Sequence, residues 1–366
     1  MPELKELLKH MKEKGASDLH ITTGARPRLR IAGNLVSVED YRELSPEDTR
    51  KLCCGFMTEA QLKKFETLNE IDVSFGIQGL SRFRADIFLQ RGAVAGTFRE
   101  IPFEIKGLRE LGMPEIIDEI LKKKHGLILV TGPAGSGKST TLASMIEKIN
   151  SEREAHVITI EDPIEFLHSH KKCIINQREL DSDTPSIASA LNYVMRQDPD
   201  IVMISTLRDL AAIEAALAIA ESGHLVLASM HTNSALQTIA RIVELFAHQN
   251  HDYARSVLAE SLEGIISQRL VKKRDGGGRV LACEVLIPTT SIRTLIREGK
   301  TTQIYSIMQT ARSGMLTMNH SLTELCKAGC ISYDDALGNS TAPEEIMAKL
   351  PRTKDKASKK EASSGD

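Results

Sequence analysis

Apolar positions in the first hundred residues change spacing several times. Leu4, Leu7, Leu8 and Met11 recur at helical intervals, one stripe of an amphipathic helix. Short strands are predicted around Leu19–Thr23, Leu29–Ala32 and Ile71–Phe75, and from Arg82 to Gln90 the alternation is strict. There Phe83, Ala85, Ile87 and Leu89 face one way, while Arg82, Arg84 and Asp86 face the other. A further strand around Val94–Arg99 ends at Ile101-Pro102, because proline cannot donate to a ladder. This pattern predicts a small α+β domain over residues 1–102 and a linker at 103–112.

From residue 113 the rhythm becomes strand, helix, strand. Strands are predicted at 127–131, 156–160, 201–204 and 224–229, and helices at 139–149, 186–196 and 210–221, the last stopped by Ser222-Gly223. Such alternation implies an α/β domain, a parallel sheet flanked by helices that binds ligands at the C-terminal strand edge. Later segments read as mostly helical, so this second domain extends over 113–350. Residues 351–366 are polar and low in complexity, the composition of a disordered tail.

At 366 residues the chain is long enough for two cores. Lys+Arg 47 against Asp+Glu 49 gives no basic excess that would argue for nucleic acid. No apolar run approaches the ~18 residues of a membrane span, and the N-terminus lacks a secretory apolar segment. Six cysteines without paired C-x-x-C sets fit reduced thiols in a cytoplasmic protein better than a zinc site.

Candidate chemistry centres on Gly132-Pro133-Ala134-Gly135-Ser136-Gly137-Lys138-Ser139, followed by Thr140, a complete G-x-x-x-x-G-K-[ST] phosphate loop. The apolar strand Gly126–Val130 precedes it, and Leu142, Met145, Ile146 and Ile149 follow at helical spacing. The loop therefore opens a helix, whose N-terminus favours an anion. Such a loop binds a nucleoside triphosphate, with Lys138 reaching the β- and γ-phosphates and the Ser139 hydroxyl on Mg²⁺.

Carboxylates that hold the metal and orient water are expected at the same edge. The strand ending at Ile160 delivers Glu161-Asp162-Pro163, with Glu165 beyond; the bland alternative is a solvated Asp-Pro turn. Glu161 is also a candidate metal ligand beside Ser139. The strand Ile201–Ile204 ends instead in Ser205-Thr206-Leu207-Arg208-Asp209, with no acid where one is expected. His224 and His231 flank the next strand, roughly 23 Å apart if extended. His231 falls at the ligand edge, where it can sense the γ-phosphate, whereas His224 reads as structural.

Together with Ile160–Glu165, Asn176-Gln177-Arg178-Glu179, Arg196–Asp200, Gly223–Asn233 and Ser267-Gln268-Arg269-Leu270, the loop resembles the PilT branch of the type II/IV secretion ATPases. Ser291–Lys300 resembles the AIRNLIREGK-type segment of retraction ATPases, and Ser17–His20 and Gly314–Asn319 match as well. The resemblance spans residues 3 to 340, in order. It implies a RecA-like ATPase domain behind a PAS-like domain, in a homohexamer at the cytoplasmic face of the inner membrane. It also implies a membrane platform protein as partner, peripheral membrane association, no nucleic acid, and pilus retraction as output. In the family two arginines of the first domain reach the nucleotide; the matching positions are Arg84 and Arg99. The segment comprising Ile292, Arg293, Leu295, Ile296, Arg297, Glu298 and Gly299 is assigned by the resemblance to motor action, although as a bare pattern it is an amphipathic helix with a solvated basic face.

The chain departs from the family at Ser205-Thr206, where the resemblance leads one to expect Gly-Glu, the Walker B acid. Thr206 cannot act as a carboxylate base. One reading is a working motor in which Glu161 and Asp162 carry the water and metal chemistry. The other is a weakly active or non-catalytic ATP-binding paralogue that joins or regulates a ring of competent retraction motors. A DNA motor would leave Ser291–Lys300 without meaning and finds no basic balance to support it.

Overall fold

The computed structural model of the chain describes residues 3–31, 33–101, 104–310 and 314–350. It forms two compact units, one holding Met1–Glu104 with Pro163–His168, the other Ile105–Asp162 with Ser169–Asp366.

In the first unit, α1 (Leu4–Glu13) buries Leu7, Leu8 and Met11, the predicted stripe. Strands β1 (Asp18–Ile21), β2 (Arg28–Ile31), β3 (Asn34–Ser37), β4 (Glu70–Ile77), β5 (Ser81–Gln90) and β6 (Ala93–Ile101) make one sheet in the order β3-β2-β1-β6-β5-β4. Every pairing in it is antiparallel. Phe83, Ala85 and Ile87 are buried as their alternation predicts, but Leu89 is 39% exposed, where β5 runs out toward the turn at Arg91-Gly92. Helices α2 (Pro46–Cys54) and α3 (Glu59–Leu68) were not apparent from spacing. Each opens with a capping box, Ser45 with Asp48 and Thr58 with Gln61, a signal that periodicity alone passes over.

The second unit begins with α4 (Ile116–Ile120) and β7 (Gly126–Thr131), followed by α5 (Lys138–Glu152), β8 (His156–Glu161), β9 (Ile174–Glu179) and α6 (Ile187–Val194). Next come β10 (Ile201–Ile204), α7 (Leu210–Glu221), β11 (Leu225–Met230), α8 (Ala235–Leu245), α9 (His251–Ser261), β12 (Leu262–Lys272) and β13 (Arg279–Leu286). The sheet order is β13-β12-β7-β11-β10-β8-β9. All neighbours are parallel except β12 and β13, so the predicted parallel sheet carries one antiparallel strand at its edge. Leu127 and Leu129 of β7 enter the core on one face and Ile128 and Val130 the core on the other, which explains their continuous apolar run.

Strands β12 and β13 correct the expectation of a mostly helical C-terminal half. Leu262, Ile265 and Ile266 sit at helical spacing, but β12 is covered on both faces, so burial erases the alternation that marks a half-exposed strand. Helices α10 (Thr290–Arg297), α11 (Ile304–Thr310), α12 (Met318–Lys327), α13 (Tyr333–Gly338) and α14 (Pro343–Lys349) follow. The last three gather Leu322, Ile331 and Ile346 around Val271 and Ala282. Leu108, inside the expected linker, is buried in the second unit's core. The expected tail at 351–366, the first linker residue Phe103 and Ala32 lie outside the described residues.

Candidate active site

Parallel pairing brings four strand ends to one edge. Met230 aligns with Thr131, Ile204 with Ala228, and Ile160 with Ile204. Side by side there stand the phosphate loop after β7, His231 after β11, Ser205-Thr206 after β10 and Glu161 at the end of β8.

The loop closes tightly. Gly132 has φ 147°, and a Cβ there would lie 2.4 Å from the Gln268 carbonyl oxygen and 2.6 Å from Ser136 Oγ. Gly137, at φ 88°, is the N-cap of α5 and takes the left-handed conformation that glycine adopts without strain. Pro133, Ala134 and Gly135 are exposed, Gly132 and Ser136 buried, and Ser139 and Thr140 half-buried in the first turn of α5. Lys138 is buried, and its Nζ donates to the carbonyls of Gly132 at 2.9 Å and Pro133 at 3.0 Å. The ammonium is thereby tethered at the mouth of the loop, 3.3 Å from His231 Nδ1. Partial burial, Lys138 and Arg208 hold the His231 imidazole below its ordinary pKa, which favours the neutral ring. The structure thus joins His231 to the loop, whereas His224, with its carbonyl accepting from Gly126 N at 3.0 Å, serves the start of the sheet.

Glu161 is 5% exposed. Its Oε1 accepts from Thr159 Oγ1 at 2.6 Å and Gln177 Nε2 at 2.9 Å, so the carboxylate is anchored from its own strand and from β9. Asp162 instead pairs with Arg208 at 3.1 Å. At the position of the missing acid, Thr206 Oγ1 lies 3.3 Å from Ser229 Oγ. Ser229 gives its single hydroxyl proton to the Ser205 carbonyl, so Thr206 is the donor in that pair. Thr206 is turned toward β11, and Asp209 caps α7 by accepting from Ala212 N at 2.9 Å. Glu161 is therefore a buried, anchored carboxylate at the same sheet edge as the phosphate loop. Among the described residues no cluster of three or more His, Cys, Asp or Glu side chains could hold a metal ion by itself.

Arg84 and Arg99 lie in the first unit, directly opposite one another on β5 and β6. Arg84 is held side-on by Asp72, with Nε 2.9 Å from both carboxylate oxygens. Arg99 is held by Asp18 through Nε at 2.8 Å and Nη2 at 2.7 Å. Burial pushes the Asp18 carboxyl up, but the Ser17 hydroxyl and Arg99 outweigh it and hold the group below the ordinary carboxylate value. Like charges opposed across a ladder repel, and these two carboxylates allow the pair to stand side by side. The pairings add partners that sequence reading missed, although Asp18 stood in a motif it had singled out.

In α10, Ile292 and Ile296 are fully buried and Leu295 is half-buried. Arg293 is not part of a solvated face: Nη1 donates to the Ala259 and Glu260 carbonyls at 2.5 and 2.9 Å, and Nη2 pairs with Glu263 at 2.7 Å. It caps the C-terminus of α9, where orphan carbonyls and the helix dipole favour a cation. Arg297 pairs with Glu260 at the surface, and Glu298 with Lys300 at 2.8 Å. Gly299, at φ 70°, ends the helix, with Lys300 N donating back to the Leu295 carbonyl at 2.9 Å.

Residues 99–337 match the type II/IV secretion system protein family. The chain belongs to the type II/IV secretion ATPase family. Its relatives place it with the PilT-type members. It is 43% identical to the type IV pilus retraction ATPase PilT of Pseudomonas aeruginosa, covering 94% of this chain and all of that one. It is 44% identical to a twitching motility protein of Neisseria gonorrhoeae over 85% of this chain and 83% of the other. Among solved structures, the pilus retraction motor PilT with bound ADP superimposes with a TM-score of 0.89 at 49% identity, covering 94% of this chain and 99% of that chain. The family accounts for the fold, an α/β ATPase domain behind a smaller sheet domain. Among the described residues no helix is long and apolar enough to cross a membrane.

Proposed function

We propose that this chain is an ATP-driven motor of type IV pilus retraction. It would work as a ring-shaped hexamer in the cytoplasm, docked peripherally on a platform protein of the inner membrane, without nucleic acid. The observation that carries the reading is the intact phosphate loop with Lys138 at its mouth and the anchored Glu161 at the same sheet edge. The PilT relatives, one of them solved with ADP, support nucleotide as the ligand and retraction as the output.

In this reading the loop amides and Lys138 bind the phosphates, and Glu161 orients water. Ser139 and Glu161 suit Mg²⁺, which needs few protein oxygens when phosphates and waters complete its shell. Bound there, the ion would neutralise charge building on the phosphate oxygens. Arg84 and Arg99 would serve the same purpose only once released from Asp72 and Asp18, arginine being suited to forked contact with phosphate. His231, neutral and beside Lys138, senses the γ-phosphate. The α10 segment transmits the motion.

One observation favours a second reading. Thr206, engaged with Ser229, offers no base at the centre of the edge. A weakly active paralogue that shares a ring with competent retraction ATPases would need no base there. The test is complementation of piliated bacteria that lack retraction. Surface motility restored by the wild type and lost with Lys138→Ala supports the motor. Normal expression and ATP binding without restored motility supports the paralogue.

A further inference from the structure

A phosphate loop works by turning amide N–H groups toward the anion, which obliges its carbonyls to point away and find donors elsewhere. The planar trans peptide links the two demands: a C=O fixed in one direction sends the next residue's N–H in the opposite one. In this chain carbonyls of the loop find side-chain donors, at the mouth and from the neighbouring strands. Lys138 takes those of Gly132 and Pro133, Arg279 of β13 reaches Gly135 O at 3.3 Å, and Gln268 of β12 donates Nε2 to Ser136 O at 2.7 Å.

The Gln268 contact is the buried one among those that come from other strands. Gln268 and Ser136 are each 2% exposed. The same residue meets the loop at both ends. Its carbonyl oxygen sits where a Cβ on Gly132 would fall, and its side-chain nitrogen lies 3.3 Å from where one on Gly137 would fall. The neighbouring Ser267 hydroxyl fixes the register, 2.7 Å from Thr131 Oγ1 at the last residue before the loop. Gln268 Oε1 and Ser136 Oγ are buried with no hydrogen-bond partner among the described residues. Buried unmatched polar atoms are costly, so two of them beside the loop call for a physical reason.

We infer that Gln268 is a positioning residue for nucleotide binding: it orients the Ser136–Gly137 peptide so that the Gly137 N–H, at the N-terminus of α5, faces the phosphates. Gln268 touches no reacting atom in this account. The inference rests on reading the loop as a nucleotide site.

The experiment is a titration of the full-length protein with a fluorescent ATP analogue, followed by its displacement with inorganic triphosphate. The chains compared are the wild type, Gln268→Met and Gln268→Glu. Gln268→Met keeps the volume and removes the donor. Gln268→Glu keeps the length and sets lone pairs against Ser136 O. Loss of one buried hydrogen bond predicts dissociation constants raised about tenfold in Gln268→Met, and more in Gln268→Glu. The factor should be the same for ATP and inorganic triphosphate, because only the phosphate contacts change. Melting temperatures without ligand separate this from general destabilisation, and Gln268→Glu carries the test should Gln268→Met fail to fold. Affinities within about twofold of wild type in a folded variant overturn the inference, as does weakened ATP binding without matching weakening of triphosphate. A wild type that binds neither ligand overturns the nucleotide reading itself.

Discussion

Glu161→Gln is the substitution that isolates the chemistry assigned to this site. The amide is nearly isosteric with the carboxylate, and its oxygen can still accept from Thr159 Oγ1 and Gln177 Nε2, which hold Oε1 at 2.6 and 2.9 Å. The fold should therefore survive, while the negative charge and the base are lost. Removing a positioned base costs ~10²–10⁴ in rate. At about 1.36 kcal/mol per decade that is roughly 3–5 kcal/mol of transition-state stabilisation. Phosphate release at saturating Mg²⁺ and ATP should fall by that factor, with ATP affinity changed less than about tenfold. Asp162→Asn should cost far less, because that carboxylate is already engaged by Arg208 at 3.1 Å. Turnover of Glu161→Gln within about threefold of wild type would refute the assignment, and an Asp162→Asn loss of ~10² or more would move the role to Asp162.

Arg293→Ala removes the donors on the Ala259 and Glu260 carbonyls and one cation from Glu263, which keeps Lys123 at 2.8 Å. The expected cost is about 1–3 kcal/mol, read as a lowered denaturation midpoint; a loss under ~0.5 kcal/mol would mean the cap is not structural. Arg297→Ala breaks an exposed pair with Glu260, so stability should change by less than ~1 kcal/mol while motility is lost in a competent background; retained motility removes α10 from the motor role. Glu284 is buried at 2% exposure, and desolvation outweighs the Ala235 and Met318 amides to raise its carboxyl above the ordinary value. A raised carboxyl penalises the fold as pH climbs above its unfolded value, so Glu284→Gln should gain on wild type between about pH 5 and pH 8. Urea titrations at both pH values showing the opposite trend would indicate that the two amides dominate.

The loop, the strand that feeds it and the helix it opens were legible because a phosphate site dictates both residue types and spacing. Glu161 was legible because its strand carries it to the ligand edge. Its anchors were not, since Gln177 lies on a different strand and meets it only through parallel pairing with β9. The same holds for Gln268, named in a motif but given no role, because β12 itself read as helix. Arg293 read as solvated from its helical face; its part in capping α9 depends on how two helices pack, which spacing within one of them does not encode. The capping boxes at Ser45 and Thr58 show that helix starts can be marked where apolar periodicity is weak.

The central claim, that this sheet edge turns ATP over without a Walker B glutamate at Thr206, is tested by steady-state phosphate release from the purified wild type with Mg²⁺ and ATP. The account predicts turnover of order 1 s⁻¹ or below, toward the low end of enzyme rates. Tight ATP binding without phosphate release, with turnover restored by Thr206→Glu, would contradict it.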